Sequence, residues 1–227
     1  MLDLAPLVLF HDPLIIVLNK PAGIPVHVGP SGKECLEDYF DQIRFGLPRL
    51  PALAHRLDAD TSGCLVLGRH PKALRRLGRI FSQGQAQKTY LAITKNRPEQ
   101  TEGRIDLPLL KVSSKAKGWR MQVDEAGKPS ITEYRVLGGQ DGRYLLEMSP
   151  LTGRTHQIRV HLAALGCPIL GEPKYADRDQ DESHLHLHSR RIRLPLYANK
   201  GEIDVIAPVP KHFEKALNRM ALGNFFR

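Results

Sequence analysis

Residues 54–63 of this chain place His55, Arg56, Asp58, Asp60, Thr61 and Ser62 directly ahead of the apolar run Cys64, Leu65, Val66, Leu67. Carboxylates beside a cation and an imidazole are the ingredients of acid–base or nucleophilic catalysis. A polar loop tied to a buried strand holds such groups rigidly and leaves them within reach of a ligand. Asp58 and Asp60 are both candidates on this ground, because an i, i+2 spacing in a loop does not set their separation and a loop aspartate often only caps a turn. A second basic segment, Gly153-Arg154-Thr155-His156-Gln157-Ile158-Arg159, opens a helical pattern whose N-terminal amides can face phosphate.

Other chemistries find less support. Gly32-Lys33 lacks the earlier glycine and the following Ser or Thr of a phosphate-binding loop, and neither Gly-x-Gly-x-x-Gly nor His-Glu-x-x-His occurs. His184, His186 and His188 alternate, which puts three imidazoles on one face of a strand. Same-face neighbours converge poorly on a tetrahedral metal, so the expectation is no metal there.

The elements that must position these groups follow from periodicity. An apolar stretch at 13–18 running into Asn19-Lys20-Pro21-Ala22-Gly23 predicts a strand and a rigid turn. Ser31 and Glu34 have capping-box spacing ahead of Leu36, Tyr39, Phe40 and Ile43, predicting an amphipathic helix. Pro71 opens a helix with Leu74, Leu77 and Phe81 on its apolar face and Gly84 at its end. That helix carries Lys72, Arg75, Arg76 and Arg79 and no acid, a pattern of either a solvated face or a nucleic-acid contact. A strand is expected at 88–94.

Residues 101–123 are less periodic; Lys111, Lys115, Lys117, Trp119 and Arg120 suit either a mobile loop able to grip RNA or a solvated loop with a single anchoring Trp. Residues 131–137 and 143–148 read as a hairpin around a glycine-rich turn. A helix over 155–165, strands at 184–194 and 203–207, and a terminal helix marked by Phe213, Leu217 and Met220 complete the chain. The irregular mixture predicts an α+β fold with a mixed, largely antiparallel sheet flanked by helices.

At 227 residues with a net charge of +9, the chain can bury a core and favours a polyanionic partner. Cys35, Cys64 and Cys167, odd in number and widely spaced, fit reduced thiols rather than a disulfide framework. The sequence shows neither a signal peptide nor a membrane span. A cytoplasmic monomer is the expectation.

His55-Arg56-Leu57-Asp58 followed by Thr61-Ser62-Gly63 resembles the signature of the RluA class of pseudouridine synthases. Asn19 to Gly23 with Val26-His27, Lys88-Thr89-Tyr90, the segment 153–161, and 166–171 with Tyr175 resemble the same family in the same order, with a weaker match at Ala207-Pro208-Val209-Pro210. The resemblance implies an RNA pseudouridine synthase acting on a tRNA or rRNA stem-loop without cofactor or metal, through a basic cleft. Asp58 would be the catalytic aspartate, Tyr90 the aromatic against the target base and Arg154 the aspartate's basic partner. His55, Arg56, Thr61, Lys88, Arg75, Arg76, Arg79, Lys115 and Lys117 are the expected RNA contacts. The Asp60 carboxylate is not carried over. A single catalytic domain without an N-terminal S4-like domain is expected. The rival readings are an inactive RNA-binding or chaperone module and a metal-dependent hydrolase using the His184 cluster.

Overall fold

The computed structural model describes residues 2–29, 32, 34–114, 118–177, 182–199 and 201–223. Ser31, Lys33, Lys115 and Lys117 lie outside the described residues. The chain runs through β1 (Val8–His11), β2 (Ile15–Lys20), a 3-10 helix (Leu36–Ile43), β3 (Ala52–Leu53), β4 (Ser62–Gly68), α1 (Pro71–Ser82) and β5 (Gln87–Thr94). It continues with β6 (Glu102–Asp106), β7 (Leu109–Ser114), β8 (Gly118–Val123), β9 (Ile131–Gln140), β10 (Arg143–Pro150) and α2 (Gln157–Ala164), and ends with β11 (Leu187–Leu194), β12 (Ile203–Ile206) and α3 (Lys211–Arg219). The strands pair mostly antiparallel and a few helices accompany them, which is an α+β fold.

The residues form two compact units, one from Met1–Lys88 and Ser189–Pro208, the other from Thr89–His188 and Val209–Arg227. In the first, β2 pairs antiparallel with β1 and β4, and β12 pairs with β11. All seven residues of β4 are buried, as a near-continuous apolar run in a central strand requires. Ile15, Val17, Cys64, Val66, Leu77, Ile80, Ile192 and Val205 make its core. On α1 the burial falls on Ala73, Leu77 and Ile80, with His70 capping the N-terminus by accepting from the Ala73 N–H at 3.2 Å. Leu74 and Phe81, expected on the core face, are only half-buried.

The amphipathic pattern at 36–43 does bury Leu36, Tyr39, Phe40 and Ile43, but the helix is 3-10 and begins after Cys35. Asp38 Oδ2 accepts from the Cys35 N–H at 2.9 Å, taking the capping role expected of Ser31 and Glu34, while Glu34 accepts the Tyr39 hydroxyl.

The second unit carries the antiparallel ladder β5-β10-β9-β6. Gln140 pairs with Arg143, so the β9–β10 loop is the two residues Asp141 and Gly142, both at positive φ (54° and 72°). Asp-Gly suits that tight primed turn, and Gly138 and Gly139, expected in the loop, belong to β9 instead. The described residues of 101–123 depart most from expectation: β6 joins the ladder, and β7, with Lys111, pairs antiparallel with β8, with Trp119 and Arg120. Phe213, Ala216 and Leu217 of α3 pack with Leu91, Ile93, Leu145 and Leu170.

Candidate active site

In the first unit the loop that carries Asp58 is held from three directions. Lys20, at the end of β2, is 1% exposed, and its Nζ donates to the carbonyls of Pro21 (2.7 Å), Ala59 (2.8 Å) and Thr61 (3.0 Å). An ammonium has three hydrogens, and these three acceptors use them all. Burial pushes the Lys20 pKa down to about 7 against the pull of the Asp60 and Asp58 carboxylates. The Ala59 carbonyl also accepts from the Gly23 N–H at 2.9 Å, and the Thr61 N–H closes a turn onto the Asp58 carbonyl at 3.2 Å.

His55 holds the other side of the loop. Its Nε2 accepts from the Val66 N–H of β4 at 3.0 Å, and its ring stacks on Phe81 of α1 with centroids 4.7 Å apart. Burial, then the charge of Lys88, pushes its pKa down to about 4, so the ring is neutral and serves the fold. Thr61 is buried, Asp58 and Asp60 are half-buried, and Arg56 is exposed. Lys88 is half-buried, and burial lowers its pKa.

In the second unit, Tyr90 sits on β5 opposite Met148 of β10 and is 9% exposed. Arg154 is exposed, with its Nε donating to the Pro129 carbonyl at 3.2 Å. Its backbone is set by Gln157, whose Oε1 accepts from the Arg154 N–H (3.0 Å) and the Thr152 hydroxyl (2.7 Å). The same side chain donates through Nε2 to the Ile131 carbonyl and Thr132 Oγ1, both at 2.9 Å. Two residues after Arg154, His156 takes a left-handed conformation (φ 52°) and meets the Tyr175 hydroxyl at 2.6 Å through Nδ1. Burial, then Arg159 and Lys174, pushes the His156 pKa down to about 3. Arg159 is buried against Glu172 in a two-pronged ion pair at 2.8 and 2.7 Å, so the family-like segment is largely a frame around Arg154.

Trp119 is 39% exposed on the β7–β8 hairpin, with Lys174 Nζ at 3.8 Å and Lys111 Nζ at 5.0 Å from its ring centre. An open groove of about 550 Å³ lies alongside, lined by Arg120, Met121, Val160, Lys174 and Tyr175. Of the three alternating histidines only His188 lies in β11, His184 and His186 precede it, and all three rings meet residues of α3. His184 is exposed, His186 is buried ahead of β11 with Nδ1 on the His184 and Leu170 carbonyls, and His188 is buried beside Phe213. His184 and His186 meet His212 of α3, with ring centres 5.0 Å apart in each case. Among the described residues no His, Cys, Asp or Glu group is arranged to hold a metal.

Sequence reasoning passed over Lys20 and Gln157 as site residues. Lys20 lies in the Asn19 to Gly23 segment, where its only signal is a cation at the end of an apolar run, and Gln157 lies in the basic segment 153–159 with no signal of its own.

The RNA pseudouridylate synthase family model matches residues 14–164. A relative from Zymomonas mobilis, called an uncharacterized RNA pseudouridine synthase, is 47% identical over 212 residues, covering 92% of this chain and 96% of its own. Ribosomal large subunit pseudouridine synthase C of Vibrio cholerae is 34% identical over 230 residues, 96% of this chain and 70% of that one. The solved structure of human RNA pseudouridylate synthase domain containing 4 superposes with a TM-score of 0.81 at 29% identity, covering 96% of this chain and 94% of that one. The chain therefore belongs to the RNA pseudouridine synthases, isomerases that convert uridine in RNA into pseudouridine. No helix among the described residues is long and apolar enough to cross a membrane.

Five histidines whose pKa burial lowers, His161 among them, have a consequence for acid stability. Burial pushes His55 and His212 down to about 4 and His156 to about 3, and lowers His161 and His186, all from 6.5. As pH falls through 6.5 the unfolded chain takes up these protons first, so stability is lost between about 6.5 and 4. Urea midpoints measured from pH 7.5 to 4.5 should fall across that window, and His55→Gln should flatten the slope. Equal slopes in the two proteins would remove His55 from the account.

Proposed function

We propose that this chain isomerises uridine in a structured RNA with Asp58 as the nucleophile. Large-subunit ribosomal RNA is the first candidate substrate, since relatives named ribosomal large subunit pseudouridine synthase C align over most of the chain; a tRNA stem-loop is the second. The observation that carries the reading is the loop itself: Asp58 is half-buried on a turn whose flanking carbonyls are clamped by Lys20 and whose start is pinned by His55. A carboxylate so held loses little freedom on reaching its reactive geometry.

The target uridine leaves its stack to enter the site. Its N1–C1′ bond breaks as the Asp58 carboxylate takes up the electron-poor C1′, in the manner of a glycosidase carboxylate. The uracil turns, C5 bonds to C1′ and the Asp58 oxygen departs. C5 then loses its proton and N1 gains one, so atoms and charge balance. Tyr90 stacks on the uracil, and its hydroxyl is the candidate carrier for the C5 proton. Arg154 is the further basic residue assigned to the reaction, on the resemblance to the RluA class. Arg56, Lys88 and the Lys111–Trp119–Lys174 group supply phosphate and base contacts.

The test uses ribosomal and transfer RNA transcripts made with uridine tritiated at C5. Tritium release that persists in EDTA is the expected result. RNA binding without release would favour the inactive binding module, and release abolished by the chelator would favour a metal enzyme.

A further inference from the structure

Helix α1 carries Lys72, Arg75, Arg76 and Arg79 at i, i+3, i+4 and i+7, which is one face of a helix. All four are exposed, and Ala73, Leu77 and Ile80 take the buried side. Among the described residues none of the four forms an ion pair with Asp or Glu. The sequence holds no Asp or Glu from Thr61 to Pro98 that could answer them. Like charges three and four apart repel, and Lys72 stands in the first turn, the end where the helix dipole disfavours a cation. A face that destabilises its own helix in this way is complementary to a polyanion.

The face is also mechanically joined to the reactive loop. Phe81, in the last turn of α1, stacks on His55 at 4.7 Å, three residues before Asp58. Arg76 has a further neighbour: it lies near the Tyr197 hydroxyl, which donates to Asp12 at 2.5 Å, so it belongs partly to the fold. Lys72, Arg75 and Arg79 remain, spread over about 10 Å of helix axis at 1.5 Å per residue. That length reaches more than one phosphate of a nucleic-acid strand.

We infer that α1 is a phosphate-docking rail for the substrate RNA, with Lys72, Arg75 and Arg79 contacting the backbone beyond the target nucleotide and setting its register against the Asp58 loop. This rests on the reading of the chain as an RNA enzyme. It goes further in assigning a sequence-independent, salt-sensitive part of recognition to one helix face.

The test compares wild type with Lys72→Gln/Arg75→Gln/Arg79→Gln and with Arg75→Lys/Arg79→Lys. The probe is an unmodified large-subunit ribosomal RNA transcript with C5-tritiated uridine, and circular dichroism checks folding. The glutamine variant should bind at least about tenfold more weakly at 150 mM salt. Its slope of log affinity against log salt should be shallower by about 2, as loss of three phosphate contacts requires. KM should rise far more than kcat falls, and the lysine variant should keep the wild-type slope. A folded glutamine variant with wild-type affinity and slope overturns the rail. Wild type that releases no tritium overturns the catalytic reading instead, and the binding slopes still decide the rail.

Discussion

Asp58→Ala should abolish tritium release, lowering kcat by roughly 10⁴-fold or more, the scale seen when a catalytic nucleophile is removed. The side chain is half-buried on a loop whose clamps run through backbone carbonyls and His55, so its loss opens no large core cavity. The melting temperature and the affinity for an RNA transcript should stay close to wild type. That combination separates chemistry from folding. Release within about tenfold of wild type would remove Asp58 from the reaction, and loss of RNA binding alongside activity would make it a structural residue.

Lys20→Met should be less damaging to activity and far more damaging to the fold. Methionine fills similar volume but offers no hydrogen, leaving the Pro21 and Thr61 carbonyls without the donor Lys20 supplies, and the Ala59 carbonyl with the Gly23 N–H alone, in a site where Lys20 is 1% exposed. Orphaning buried acceptors costs about 1 to 3 kcal/mol each, and relief of the buried charge offsets part of it. A net loss of roughly 3 kcal/mol is expected, near a 10 °C fall in Tm for a chain of this size. The freed loop should lower kcat by about 100-fold and leave KM little changed, since misplacement of a reacting group acts on the chemical step.

Linkage offers a second readout. The Lys20 pKa is about 7 folded against 10.5 unfolded, so between those values the unfolded chain holds a proton the folded one lacks. Stability therefore declines as pH falls from 10.5 to 7 and is level below. Lys20→Met should lack that component. Unchanged Tm and kcat would show that the clamp does not position the loop.

Local pattern made much of this chain legible. The apolar run ahead of Gly68 predicts β4, Pro71 and its following periodicity predict α1, and the glycine-rich stretch 138–142 predicts a hairpin, though not its two-residue turn; each depends on contacts or preferences within a few residues. The stretch 101–123 was opaque for the opposite reason. Trp119 and Arg120 are exposed on β8, and the pairing of Lys111 with Met121 is a register that only the facing strand supplies. The three alternating histidines are opaque for the same reason, because the rings they meet, His212 for His184 and His186 and Phe213 for His188, come from helix α3.

The active-site loop divides along that line. Its residue types, a carboxylate among a histidine, an arginine and two hydroxyls, and its resemblance to the RluA class belong to the sequence alone, since chemistry is carried by side-chain identity and order. Tertiary structure decided which groups hold the loop. Lys20 is 38 residues before Asp58 in the chain, and only folding surrounds its ammonium with the carbonyls of residues 21, 59 and 61. Folding likewise turned His55 inward, where burial keeps it neutral. Burial and hydrogen-bond partnership are properties of a site's surroundings, and those are assembled from segments that no local pattern links.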